Sequence, residues 1–366
     1  MKNMRRYVVM LLALMVLVAG CGKEVPENKE VSESEKVESS TEVAEESNEA
    51  EVAENSDETF LIRAGIGLND QHPQYKGLEV MKEYVERESG GRIEMQLFHS
   101  SQLGDDVQMI EALQLGSQEM TCPSSAPMTS MDNRFMVFDL PFLFPSSDIA
   151  SSVLDGPLGQ ELLDGLSDNF LVGLAYWENG YRHITNSVKE IKTPEDMKGL
   201  KIRTMENQVH LDFFKSLGAN PTPMPFGELF TAMQQGVVDG QENPVPTIYL
   251  QNFAEVQDYT TLTGHVYSPF VLLMSKKFWD GLPADLQAIV QEGALVARDE
   301  QRKINGAYTD ELVAGLREQG MTVTELSKEE LKAFQDATKS TIDMFKEEIG
   351  TDYVDSVLEE IERLSE

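Results

Sequence analysis

The residue types able to do chemistry are concentrated in two short stretches. In Tyr176-Trp177-Glu178-Asn179-Gly180-Tyr181-Arg182, aromatic rings, a carboxylate, an amide and a guanidinium crowd around one glycine. In Lys198-Gly199-Leu200-Lys201-Ile202-Arg203, an arginine ends a short alternating run that reads as a strand. A guanidinium is a planar fork that matches a carboxylate through two parallel hydrogen bonds, so these stretches suit non-covalent capture of an anion. Trp177 beside Glu178 suits sugar hydroxyls, and the same indole suits a hydrophobic core equally well. A lone arginine is also a common surface or ion-pair residue, so neither stretch defines a site by itself.

Signals for catalysis are missing. His72, His99, His183, His210 and His265 are scattered, with no pair at metal-ligand spacing. There is no H-E-x-x-H, no G-x-S-x-G and no Walker loop, and Gly65-Ile66-Gly67 lacks the third glycine of a dinucleotide fingerprint. Apart from Cys21 the only cysteine is Cys122, which rules out a cysteine metal site. No catalytic residue, metal or cofactor is expected. The net charge of −33, with no basic stripe, excludes nucleic acid as a partner, while a few local arginines can still override the global sign for a small anion.

The elements that must position these residues follow from periodicity. Phe60 to Ile66 reads as a strand. Leu78, Met81, Tyr84 and Val85 recur at helical spacing up to the stop at Gly90-Gly91, and Arg92 to Phe98 alternates as a second strand. Val107, Ile110 and Leu113 give a second helix ending at Gly116. Thr193-Pro194-Glu195-Asp196 caps a short helix before a strand from Leu200 to Arg203, and after Pro283 the chain turns helical, with Leu286, Ile289, Val290 and Val296 as its stripe. Strands alternating with helices predict an α/β fold.

Ahead of this region, Lys2, Arg5 and Arg6 precede an apolar run from Tyr7 to Ala19, too short to span a bilayer and in the pattern of an export signal. Leu17-Val18-Ala19-Gly20-Cys21 resembles a bacterial lipoprotein signal, which makes Cys21 the lipid anchor and the membrane a partner through that lipid. Lys23 to Glu58 holds 14 acidic residues against 3 lysines and almost no large apolar side chain, the composition of a disordered acidic tether.

The heptad Val238-Asp239-Gly240-Gln241-Glu242-Asn243-Pro244 changes the argument. Together with Ser101-Gln102-Leu103-Gly104-Asp105-Asp106, Pro141-Phe142-Leu143-Phe144, Pro194 to Gly199, Gly199 to Arg203, Gly218-Ala219-Asn220-Pro221 and Pro225-Phe226-Gly227-Glu228, it resembles, in order and spacing, the DctP-type solute receptors of tripartite ATP-independent periplasmic (TRAP) transporters. The resemblance runs from Phe60 to beyond Leu326. It implies a two-lobed periplasmic-binding-protein-like fold of the second type, with crossing hinge strands and a long helix spanning both lobes. The expected division is residues 1–20 as signal peptide and 21–58 as anchor and tether. Residues 59–180 and 268–307 would then form one lobe, and 181–267 and 308–366 the other.

By the same resemblance Arg203 grips a ligand carboxylate, Arg182 is a second ligand-facing arginine, Phe226 lines the cleft and the Asn243 amide contacts ligand. Asp106 corresponds to a polar position near the cleft or is simply a helix N-terminal charge. His72 is a further candidate in the loop after the first strand. Sialate-binding members carry a glutamate and an arginine where this chain reads Thr121-Cys122-Pro123-Ser124-Ser125-Ala126-Pro127, which disfavours sialate. The resemblance thus implies an extracytoplasmic, non-enzymatic receptor for a C4-dicarboxylate or a sugar acid such as a uronate. It would pass its ligand to a small and a large TRAP membrane subunit for uptake driven by an ion gradient. A receptor of another importer, a sensor, or a lipid-anchored enzyme on the same fold are the alternatives.

Overall fold

The computed structural model describes residues 58–366; the expected signal peptide, Cys21 and the expected tether up to residue 57 lie outside the described residues. The strands are β1 (Phe60–Gly65), β2 (Ile93–Phe98), β3 (Met120–Thr121), β4 (Leu171–Asn186), β5 (Lys201–Thr204), β6 (Asn220–Pro223), β7 (Gly240–Pro244), β8 (Tyr259–Leu262), β9 (Tyr267–Ser275) and β10 (Thr322–Glu325). They pair in the order β2-β1-β3-β9-β4-β7-β5-β6, with β8 joining β4 to β10. The architecture is α/β and two-lobed.

Local sequence explains the early elements. β1 turns Ile62 and Ala64 inward, and the helix Pro73–Glu88 buries Leu78, Met81 and Val85 before Gly90 and Gly91 take positive φ. The helix Asp106–Leu115 opens on a capping box in which Asp105 accepts from the Gln108 amide, and closes on Gly116 at φ 70°. Thr193 and Asp196 form a second capping box, at the 3-10 turn Pro194–Met197.

β4 is shared by the two lobes. Leu171 to Tyr181 pair antiparallel with β9, whereas Arg182 to Asn186 pair with β7 and Ile184 to Asn186 also with β8. Just before this change the register slips between Glu178 and Gly180, where Pro269 opposite Glu178 offers no N–H and Gly180 adopts φ 115°. Before this point the second edge of β4 has no strand beside it among the described residues. The 35-residue helix Ala284–Glu318 covers it with side chains. Gln291 donates to the Leu174 carbonyl (2.9 Å), Arg302 to that of Tyr176 (2.8 Å) and Gln301 to that of Glu178 (2.7 Å), while Gln301 Oε1 accepts from the Glu178 N–H (2.9 Å). Residues two apart point their carbonyls to one edge, so the three acceptors form a row.

The long helix serves both lobes. Leu286, Val290, Ala294 and Ala297 pack with Leu78, Met81 and Trp177, whereas Leu312 and Leu316 pack with Val245, Ile248 and Phe253. Val296, expected on its apolar stripe, is 36% exposed, and Ala294 and Ala297 take that place because small side chains admit close approach to the sheet. The C-terminal helix Thr351–Ser365 buries Val354, Val357 and Ile361 with Leu154 and Leu162. Packing therefore joins residues 351–365 to a segment near 147–165, which the sequence division assigns to the other lobe.

Candidate functional site

Between the lobes lies a cavity of about 590 Å³, its open mouth included. The first lobe lines it with loops after its strands, carrying Gly67, Asp106 and Ser124; the second contributes Arg203, Phe226 and Asn243; Asn179 and Arg182 come from the shared strand β4. Five of the residues singled out from sequence thus meet here: Arg182, Arg203, Asn243, Phe226 and Asp106.

The two arginines differ in what holds them. Arg182 is fully buried and donates Nε to Glu242 Oε2 and Nη2 to Glu242 Oε1 (2.8 Å), to the Glu242 carbonyl (2.7 Å) and to Asn243 Oδ1 (3.1 Å). Its charge is met by a carboxylate before any ligand arrives. Arg203, only 2% exposed, donates both Nε (2.8 Å) and Nη2 (2.5 Å) to the Met224 carbonyl and makes no ion pair among the described residues. Each guanidinium leaves Nη1 buried without a partner among the described residues. Burial lowers the Arg203 pKa to about 10, with Arg182 adding to the effect against Glu242, Glu206 and Asp106. The guanidinium stays charged at neutral pH, desolvated and lacking a counter-ion.

Glu242 lies at the centre of a buried charge chain. Its carboxylate also stands 3.6 Å from His210 Nδ1 and 3.4 Å from His265 Nε2, and His210 Nε2 bonds Asp139 Oδ1 at 2.9 Å. Burial works against charge on His210, yet Asp139 and Glu242 outweigh it and raise its pKa to about 9. Burial would likewise raise the Glu242 carboxyl, but Arg182 and His210 hold it well below the usual carboxylate range. Asn207, which caps the helix Gln208–Ser216 through its side-chain oxygen, donates Nδ2 to Asp139 Oδ2 (2.8 Å). Helix, carboxylate and arginine are thereby tied into one frame.

Asp106 stands across the cavity in the first helical turn, with Oδ2 accepting the Ser124 N–H at 3.3 Å. Burial pushes its carboxyl up to about 6, helped by Asp105 and Glu206 and opposed by the Ser124 amide and Arg203. Val107, expected to share the buried stripe of that helix, instead lines the cavity and is 38% exposed. Phe226 opens the helix Phe226–Gln234 behind Pro225 and lies 6.3 Å, centroid to centroid, from Phe253.

Three expectations are corrected. Trp177 is wholly buried among Leu78, Phe270 and Ala294, donates Nε1–H to the Ala294 carbonyl (3.3 Å) and leaves no room for a Cβ on Gly77. It is core. Glu178 faces a neighbouring recess with Ser147, Tyr181 and His183, where burial raises its carboxyl pKa. His72 caps the helix Pro73–Glu88: Nδ1 accepts the Gln74 N–H (3.1 Å), so Nε2 carries the proton and donates to Thr247 Oγ1 (3.2 Å), and burial lowers its pKa to about 3. It sits behind the cavity wall, of which Thr247 is part.

Sequence reasoning missed Gln74, which lines the cavity although it is 2% exposed. A cue was present: Gln74 begins the row Leu78, Met81, Val85 at helical spacing, so a polar side chain heads an apolar face. Among the described residues no group of three His, Cys, Asp or Glu side chains could hold a metal.

A family model described as bacterial extracellular solute-binding protein, family 7 (DctP), matches residues 64–348. A solute-binding protein of Verminephrobacter eiseniae is 44% identical over 267 residues, 72% of this chain and 78% of that protein. The sugar acid binding protein of Advenella mimigardefordensis, solved in complex with galactonate, has a TM-score of 0.82 and 43% identity over 84% of this chain and 99% of its own. A TRAP periplasmic solute-binding protein of Sulfurospirillum deleyianum, solved with bound succinate, has a TM-score of 0.79 and 34% identity over 82% and 98%. With the match extending across both lobes and the cavity between them, the chain belongs to the DctP family of bacterial extracellular solute-binding proteins.

Proposed function

We propose that this protein is the extracytoplasmic receptor of a TRAP transporter, taking a small organic acid between its lobes and delivering it to the small and large membrane subunits. The observation that carries the reading is Arg203: a desolvated cation with no ion-pair partner among the described residues and a free Nη1, on the wall of the inter-lobe cavity. A carboxylate there supplies the missing counter-charge. Arg182 faces the same space with its own free Nη1, while Glu242 keeps it in place. Ligand touching Arg203 on one lobe and Asp106 or Ser124 on the other stabilises only the closed arrangement, so closure reports occupancy to the membrane subunits. Membership of a family of solute-binding proteins, not enzymes, agrees with this. Cys21 serves as the lipid anchor and the acidic segment up to residue 58 as the tether, outside the cytoplasm.

The test is a thermal-shift screen against C4-dicarboxylates, uronates, aldonates and neutral sugars. A ligand at a hundredfold excess over its Kd stabilises the folded state by about 2.7 kcal/mol. A raised midpoint confined to carboxylates is the expected result; a shift with a neutral sugar and none with any acid refutes the reading.

A further inference from the structure

We infer that the ligand is a monocarboxylate carrying several hydroxyl groups, an aldonate or uronate, and that Gln74, Asn179 and Asp106 read those hydroxyls and reject a second carboxylate. The inference rests on the arginine clamp proposed above and concerns the far end of the ligand.

Two observations carry it, the first being charge. Arg182 is already paired with Glu242, so among the described residues Arg203 is the single cation of the cavity wall without a carboxylate partner. Against it the same wall presents Asp105, Asp106 and Glu206. One carboxylate has a place at Arg203. A second, at the other end of a four-carbon acid, would face these acidic side chains, of which Asp105 and Asp106 are partly buried and Glu206 exposed, and like-charge juxtaposition of this kind is unfavourable.

The second observation is the inventory of unsatisfied polar atoms. Gln74 donates Nε2 to the Cys122 carbonyl at 2.6 Å, which fixes the orientation of its amide and leaves Oε1 buried with no partner among the described residues. Asn179, 3% exposed, likewise has Oδ1 without a partner among the described residues. Asp106 uses Oδ2 for the Ser124 N–H, and its Oδ1 makes no hydrogen bond within the described residues. A Cβ built on Gly67 would sit 3.6 Å from that oxygen, so this glycine keeps the approach open. These atoms are acceptors and need donors. An unsubstituted dicarboxylate such as succinate has no O–H to give at neutral pH, whereas each hydroxyl of a sugar acid donates one proton and accepts another. A site built to bond hydroxyls rejects an analogue that lacks them, because its own buried groups are then left unpaired.

Isothermal titration of the purified protein with galactonate, galacturonate, succinate, butyrate and galactose tests this. Either sugar acid should bind more tightly than succinate or butyrate by on the order of a hundredfold, with no heat from galactose. Asp106→Asn, checked for cooperative ligand-free unfolding at a midpoint no lower than the parent's, should narrow the gap between sugar acid and succinate by about tenfold, since it removes the repelling charge. Succinate binding as tightly as the sugar acids overturns the inference and leaves the arginine clamp standing. Butyrate matching the sugar acids also overturns it, by showing that hydroxyls contribute nothing. A gap unchanged in Asp106→Asn removes Asp106 from the assignment, and Gln74→Leu, which deletes the orphaned acceptor, tests the amide in the same way. Galactose binding in place of every acid overturns the clamp as well.

Discussion

Replacing Arg203 by methionine should separate stability from binding in opposite directions. Folding takes the Arg203 pKa from its ordinary value down to about 10. At about 1.4 kcal/mol per pKa unit, the folded chain therefore carries a cost of roughly 3 kcal/mol for holding this cation without a counter-ion at pH 7. The sign is that of a base whose folded pKa is depressed, so the cost is fully present at neutral pH and fades only as pH climbs beyond about 10. Methionine removes the cost, leaves the Met224 carbonyl without its two donors, a loss of about 1–3 kcal/mol, and opens no sealed void because the side chain borders the cavity. The balance is a ligand-free protein that is unchanged or up to about 2 kcal/mol more stable, about 2 °C in Tm for each kcal/mol at this size. Ligand affinity should fall by about 2–5 kcal/mol, the loss for a desolvated charge pair deprived of one partner. Thermal denaturation with and without a carboxylate ligand measures both. A variant destabilised by more than about 2 kcal/mol without ligand, comparable to losing a well-compensated buried charge, would show that Arg203 is structural, and unchanged affinity would show that it does not hold the ligand.

Other consequences concern pH and packing. His210 has a raised folded pKa, so its contribution is fully present below about pH 6.5 and disappears as pH rises through 9; stability should fall across that window by a few kcal/mol, and by visibly less in His210→Asn, as followed by urea midpoints at each pH. Asp106 also titrates higher in the folded state, so its contribution is present below about pH 4 and lost as pH rises through 6. Melting curves of Asp106→Asn should exceed the parent above pH 6 and converge with it under acid. Trp177→Phe should cost about 2 kcal/mol of stability, from lost core packing and the bond to the Ala294 carbonyl, while calorimetry finds Kd for a carboxylate within about threefold of the parent.

What could be read from the sequence follows the range of the interactions involved. The helix Pro73–Glu88, β2 and the capping boxes at Asp105 and Thr193 depend on residues three or four apart, and local patterns express them. The strand that carries Arg203 was legible because a strand end next to a turn is a local feature, whereas the expectation that Arg203 holds a ligand came from the resemblance of several distant motifs taken together. Trp177 was not, since an indole looks the same whether it meets a ligand or a helix; only its packing on Gly77 and Ala294 decides. The frame around Arg182 draws on Asp139, His210, Glu242 and His265, distant segments brought together by β4, β7 and the loops beside them, and no spacing rule links them. Gln74 lay between these cases, a polar interruption in an apolar row whose meaning depends on what it faces.

The row of carbonyls along the free edge of β4 has one more consequence. An uncovered strand edge is a template on which another chain can add itself, and proteins blunt it with charges, proline, bulges or a covering helix or loop. Here the blockade consists of three side chains of one helix, Gln291, Gln301 and Arg302. Side-chain bonds of this kind can lengthen and swing one at a time, whereas a continuous backbone ladder would splint β4 along its whole length. The chain thus keeps this covered edge from pairing with its neighbours without a backbone ladder on that side of β4 as far as Gly180, next to which the strand passes from one lobe to the other.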